Sequence, residues 1–106
     1  MSREERLAKN EGVLRDINEG IREGAQTDVG ERAIFLCECG EPNCEETIAM
    51  TQNEYEAVRA NARRFFMLPG HEQADVEKVV EHRDSYVVTE KFGRAAEIAE
   101  ETDPSS

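Results

Sequence analysis

Three cysteines fall within eight residues, Cys37-Glu38-Cys39-Gly40-Glu41-Pro42-Asn43-Cys44, and the chain has no others. Thiolates are metal ligands, and this C-x-C-x4-C spacing suits convergence on one ion. Residues two apart on a strand point to the same face, roughly 6.6 Å apart, so Cys37 and Cys39 can approach a common centre. A turn at Gly40 and Pro42 then returns Cys44 to the same side. Three thiolates need a fourth ligand to close a tetrahedron, and the chain offers two histidines, His71 and His82. His71 follows Pro69-Gly70 on a fixed turn, which favours it over His82 near the tip of a hairpin. Zinc is the expected metal, since thiolates with imidazole suit a tetrahedral ion. A site filled by four protein ligands has no open position for water, so the expectation is a structural metal and no enzyme.

Other chemistries compete for the same thiols. Three buried free cysteines would be an ordinary core feature, but a polar C-E-C-G-E-P-N-C stretch makes a poor core segment. A disulfide would leave an odd thiol, and Cys37 and Cys39 on one strand could not pair without strain. A thiol-based redox sensor or enzyme is the main alternative. Against it, Glu38, Glu41, Glu45 and Glu46 are expected to surround the thiols and raise their pKa values. A bound cation would reverse that effect. An iron–sulfur centre held by three Cys and one His is the second alternative.

The chain also resembles a family of small uncharacterised bacterial proteins. The resemblance rests on Asn10-Glu11 through Arg15-Asp16-Ile17-Asn18-Glu19 with Ile21, and on Phe35-Leu36-Cys37-Glu38-Cys39-Gly40 with Cys44. It extends to Thr51 with Glu54 through Arg59, and to Pro69-Gly70-His71-Glu72 with Val79-Val80-Glu81. It covers about residues 10–91. The joint presence of the cysteine and Pro-Gly-His pieces in that pattern implies His71 as the fourth ligand. The family brings no established activity.

Several elements must position these groups. Leu7, Leu14 and Ile21, with Asn10 and Ile17 between them, predict an amphipathic helix over 1–24, packed on its own domain or pairing with a second copy. Residues 24–30 read as a linker. Ala33 to Cys37 and Thr47 to Met50 read as short strands. Thr51-Gln52-Asn53-Glu54 fits a capping box, opening a central helix with Tyr55, Val58, Ala62 and Phe65 on one face and ending before Pro69. Val76 to Lys91 predicts strand–turn–strand around Arg83-Asp84-Ser85. Residues 93–106 are expected to be a flexible acidic tail. The fold class is therefore α+β: one small domain, stapled by zinc across residues 31–92.

Composition explains why a staple would help. The chain has 106 residues, 38% of them hydrophobic and 6% aromatic, with no Trp. Its mean hydropathy is −0.72. Domains of this size bury roughly 65% of the surface their unfolded chains expose, so metal is a useful reinforcement. The net charge of −11 disfavours nucleic acid and anionic membranes. No apolar run approaches the ~20 residues of a membrane helix. The charged Met1 to Arg6 segment lacks a signal peptide's apolar stretch, so a cytoplasmic location is expected.

No phosphate-binding glycine loop or deaminase C-x-x-C occurs. His71-Glu72-Gln73-Ala74-Asp75 only starts like a zinc-protease motif, and Asp75 stands where its second histidine belongs. Arg59, Arg63 and Arg64 form the one basic patch. It reads as a solvated face paired with Glu56 and nearby acids, and otherwise as a dock for an acidic partner. The functional expectation is a small metal-binding protein-interaction or regulatory module with an unidentified protein partner.

Overall fold

The computed structural model describes residues 2–25 and 30–104. Its elements are α1 (Arg3–Gly24), β1 (Arg32–Leu36), β2 (Thr47–Thr51), α2 (Gln52–Arg59), β3 (Arg64–Met67), β4 (Glu77–His82), β5 (Val87–Lys91) and α3 (Gly93–Glu101). This is an α+β fold with two small antiparallel sheets, one of β1 and β2, the other ordered β3-β5-β4. Most of the expected linker, residues 26–29, lies outside the described residues.

Alternation decides the first sheet. Ala33 opposite Met50 and Phe35 opposite Ile48 face inward, while Ile34 on the other face is exposed. In the second sheet β5 is central, with Val87, Val88 and Thr89 all buried. The expected β4–β5 hairpin is present, closed by the Arg83 amide donating to the Tyr86 carbonyl at 2.9 Å. The sparse aromatics are concentrated between the sheets. Phe35 stacks on Tyr55 at 4.6 Å between centroids, and Phe66 meets both rings edge-on.

The capping box forms as expected: Thr51 Oγ1 accepts from the Glu54 amide, and the Glu54 carboxylate accepts from the Thr51 amide. The helix it opens is shorter than the spacing predicts. It ends at Arg59, and Phe65 belongs to β3. Asn61 makes the break, its side chain accepting from the Arg63 amide and its carbonyl from the Arg64 amide. Phe65, Phe66 and Met67 are then covered on both sides, an environment that a strand between layers provides and a one-faced helix does not.

The N-terminal helix packs on its own domain, on a face that matches the expected stripe only in part, at Leu7 and Ile21. The buried residues of α1 are Leu7, Ala8, Glu11, Gly12, Arg15 and Asn18, whereas Asn10 and Ile17 are exposed. Polar side chains occupy this face because each finds a partner. Glu11 pairs with Lys91, which also pairs with Glu77, and all three side chains are fully buried. Burial pushes the Glu11 carboxyl well above its usual range, with Lys91 opposing the shift. Arg15 donates to the carbonyls of Ala62 and Ala99, both at 2.8 Å.

Residues 93–101, expected as part of a flexible tail, form α3 instead. Its alanines supply the reason. Ala95, Ala96, Ile98 and Ala99 make one small apolar face, which packs with Leu7, Ala8 and Val76. Little side-chain entropy is lost in ordering alanine. At Gly12 of α1 a Cβ would lie 3.1 Å from Thr102 Oγ1, so glycine permits the close approach of the two segments.

Candidate metal centre

The cysteine segment crosses between the two sheets. The Cys37 amide donates to the Glu46 carbonyl, on the side of β2, and the next amide, of Glu38, donates to Phe66 in β3, both at 3.0 Å. The intervening pleat separates the side chains. Cys37 and Cys39 point one way, while Glu38 turns the other way and is wholly buried. The Glu38 carboxylate accepts from Asn18 Nδ2 at 2.7 Å and from the Phe66 amide at 3.3 Å, and pairs with Arg59. Glu38 therefore does not join an acidic ring around the thiols. It anchors the cysteine segment to α1, α2 and β3.

Two proline turns place the remaining donors. In Glu41-Pro42-Asn43-Cys44 the Cys44 amide donates to the Glu41 carbonyl at 3.1 Å. In Leu68-Pro69-Gly70-His71 the His71 amide donates to the Leu68 carbonyl at 3.0 Å, and Gly70 has φ of 90°. Proline fits the second turn position with its fixed φ, and glycine after it supplies the left-handed residue of a type II turn. Each turn thus ends on a candidate ligand. Gly40 has a second constraint: a Cβ there would stand 2.9 Å from Cγ of Glu11, so the loop lies directly against α1.

Together these elements gather Cys37, Cys39, Cys44 and His71, whose donor atoms all lie within 4.8 Å of one another. His71 Nδ1 is 3.6 Å from Cys37 Sγ and 3.7 Å from Cys44 Sγ. Cys37 and Cys39 are buried, while Cys44 and His71 are half-buried. This Cys3His group can hold a metal ion. His82 is elsewhere, exposed at the end of β4 beside a depression lined by Arg32, Glu54 and Tyr86.

Backbone amides are aimed at the sulfurs. Leu68 N–H donates to Cys37 at 3.4 Å. The Glu41 amide does so to Cys39 and the Glu46 amide to Cys44. Among the protein groups alone, the thiols compete for protons. Cys37, donating its S–H to Cys39 and buried, is pushed up. The same bond, helped by the Glu41 amide and His71, draws Cys39 down to about 5 against its burial. Burial raises Cys44. Such a set favours a cation that would take the place of the protons.

The basic patch is spoken for. Arg59 pairs with Glu38, Arg63 with Glu100 at 3.0 Å and Arg64 with Glu90 at 3.0 Å, while Glu56 lies 3.5 Å from Arg22. The segment from His71 to Asp75 is not helical, so its likeness to a protease motif is coincidental. The role of Asn18 and Arg59 in holding Glu38 is one that sequence reasoning missed. The signal that could have pointed to it is the period of two that must turn Glu38 away from the flanking cysteines. No protein-family model, curated protein or solved structure matches the chain. No helix among the described residues is long and apolar enough to cross a membrane.

Proposed function

We propose that this is a small zinc-binding protein in which Cys37, Cys39, Cys44 and His71 hold one structural zinc ion. The observation that carries the reading is the donor spacing. Zn–S of about 2.3 Å and Zn–N of about 2.05 Å at a tetrahedral angle put sulfur and nitrogen about 3.6 Å apart. The Cys37 and Cys44 sulfurs here stand 3.6 and 3.7 Å from the His71 nitrogen. Mutual approach within 4.8 Å supports a single ion over an iron–sulfur cluster, whose iron and sulfide atoms would spread the donors further. When bound, the ion would supply charge neutralisation and cross-linking, tying the β1–β2 loop to the Pro69 turn.

Four protein ligands leave no position for substrate or water, which supports a non-enzymatic role as a protein-interaction or regulatory module. The resemblance to small bacterial proteins supports only the choice of His71 as ligand, and the cytoplasm, where thiols stay reduced, is the natural setting of such a site. Half-burial of Cys44 favours thiol redox chemistry as the second reading, with oxidation expelling the ion.

Cobalt substitution tests the assignment. Wild type and His82→Ala should give the same intense tetrahedral spectrum with three thiolate ligands. His71→Ala should change it. An unchanged spectrum in His71→Ala would overturn the ligand set. Peroxide at micromolar levels should leave the ion in place, and its rapid release with disulfide formation would move the assignment to the redox reading.

A further inference from the structure

The solvent face of α1 is unusual for a helix fixed to a domain. Val13 is 58% and Ile17 46% exposed, and with half-buried Leu14 they form an apolar strip. At Gly20 and Gly24 an added Cβ would meet nothing within 4 Å. The strip is flanked by Lys9, Asp16 and Glu23, spaced seven apart, with Arg6 one turn before Lys9. Among the described residues, none of these four makes an ion pair or side-chain hydrogen bond. The exposed face therefore runs from cationic at its N-terminal end, through apolar, to anionic at its C-terminal end.

A second copy of the same helix, laid antiparallel, complements that order. We propose that α1 pairs with α1 of a second copy in an antiparallel, two-fold dimer crossing near residue 16. In such an isologous interface each contact occurs twice. Lys9 of one copy faces Glu23 of the other, Val13 fills the open space over Gly20, and Ile17 lies beside Leu14. A parallel pair would set Lys9 on Lys9, Asp16 on Asp16 and Glu23 on Glu23. The antiparallel pair keeps only the Asp16 repulsion, at the axis. Val13 and Leu14 also line the groove toward Pro42 and Cys44, so the second helix extends over the edge of the cysteine loop. One helix pair, each about 33 Å long, makes an interface in the weak class.

Sedimentation of the full chain as purified tests this, on a concentration series to ~1 mM, where a weak interface of this size still associates. Wild type should sediment as a concentration-dependent dimer and Val13→Glu as a monomer with unchanged circular dichroism. Lys9→Glu and Glu23→Lys should each weaken the dimer about five- to tenfold, and the two together should restore it. Asp16→Asn should tighten it. A wild type that stays monomeric throughout, a dimer indifferent to Val13→Glu, or a double charge swap no better than its single variants would each overturn the proposal.

Discussion

Two buried polar centres fasten distant parts of this chain, and they differ in the source of their positive charge. At Cys37, Cys39, Cys44 and His71 the protein supplies only donors, gathered within 4.8 Å. At Glu11, Glu77 and Lys91 it supplies both signs, with the Lys91 ammonium between two carboxylates and all three side chains fully buried. The contrast teaches which link is conditional. The second centre joins α1 to the β3-β5-β4 sheet whenever the chain folds. The first joins the β1–β2 loop to the Pro69 turn through the Leu68 amide on Cys37, and would join them firmly only with an ion held between the donors. The centres are also neighbours, because Glu11 packs on Gly40 beside Cys39.

The largest effect should come from the metal centre. A chelator, or Cys39→Ser, should remove a contribution on the order of 10 kcal/mol, comparable with a whole domain's stability, and abolish cooperative unfolding. Next, Lys91→Met strands two buried carboxylates and should cost about 3–5 kcal/mol in denaturant unfolding while the bound metal per folded chain stays the same. A variant that also lost metal would show the two centres to be one unit.

Glu38→Gln should follow, at about 2 kcal/mol, since a hydrogen-bonded charge is lost but the shape is kept. Because Glu38 sits between two ligands, it should also weaken metal binding measurably in a competition titration. Lys91→Met should not do so.

The smallest effect distinguishes the centres by pH. The native Glu11 carboxyl is raised by burial, so the folded state holds this proton more tightly than the unfolded state does. Its contribution is full below the ordinary carboxylate range and is lost as pH rises through the raised value. The metal centre has the opposite sign, since acid returns protons to the thiolates and imidazole. Glu11→Gln should therefore flatten the decline of stability toward high pH and leave the acid-side loss of metal intact. A variant with the wild-type pH profile would remove Glu11 from the account.

The two centres were unequally legible in the sequence. The metal group was readable because its chemistry is local: three cysteines in one loop, and a histidine behind Pro69-Gly70. The ionic centre was not, because Glu11, Glu77 and Lys91 become neighbours only when α1 crosses the second sheet. Reading the apolar residues of α1 as its buried stripe therefore found only part of the packed face, Leu7 and Ile21, since Glu11, Arg15 and Asn18 are buried by virtue of partners up to 87 residues away. The capping box at Thr51 and the hairpin at Arg83 to Tyr86 were legible as local turn chemistry. The early stop of α2 depends on the layers that cover Phe65 to Met67 from both sides, and the ordering of α3 on the distant Leu7, Ala8 and Val76 that cover its one apolar face, which no single segment reveals.

Thermal unfolding of metal-stripped against zinc-loaded protein tests the central claim most directly. The account predicts one equivalent of zinc and a cooperative transition in the loaded chain, and loss of that transition in the stripped chain. A stripped chain that unfolds cooperatively at the same temperature as the loaded one would contradict it.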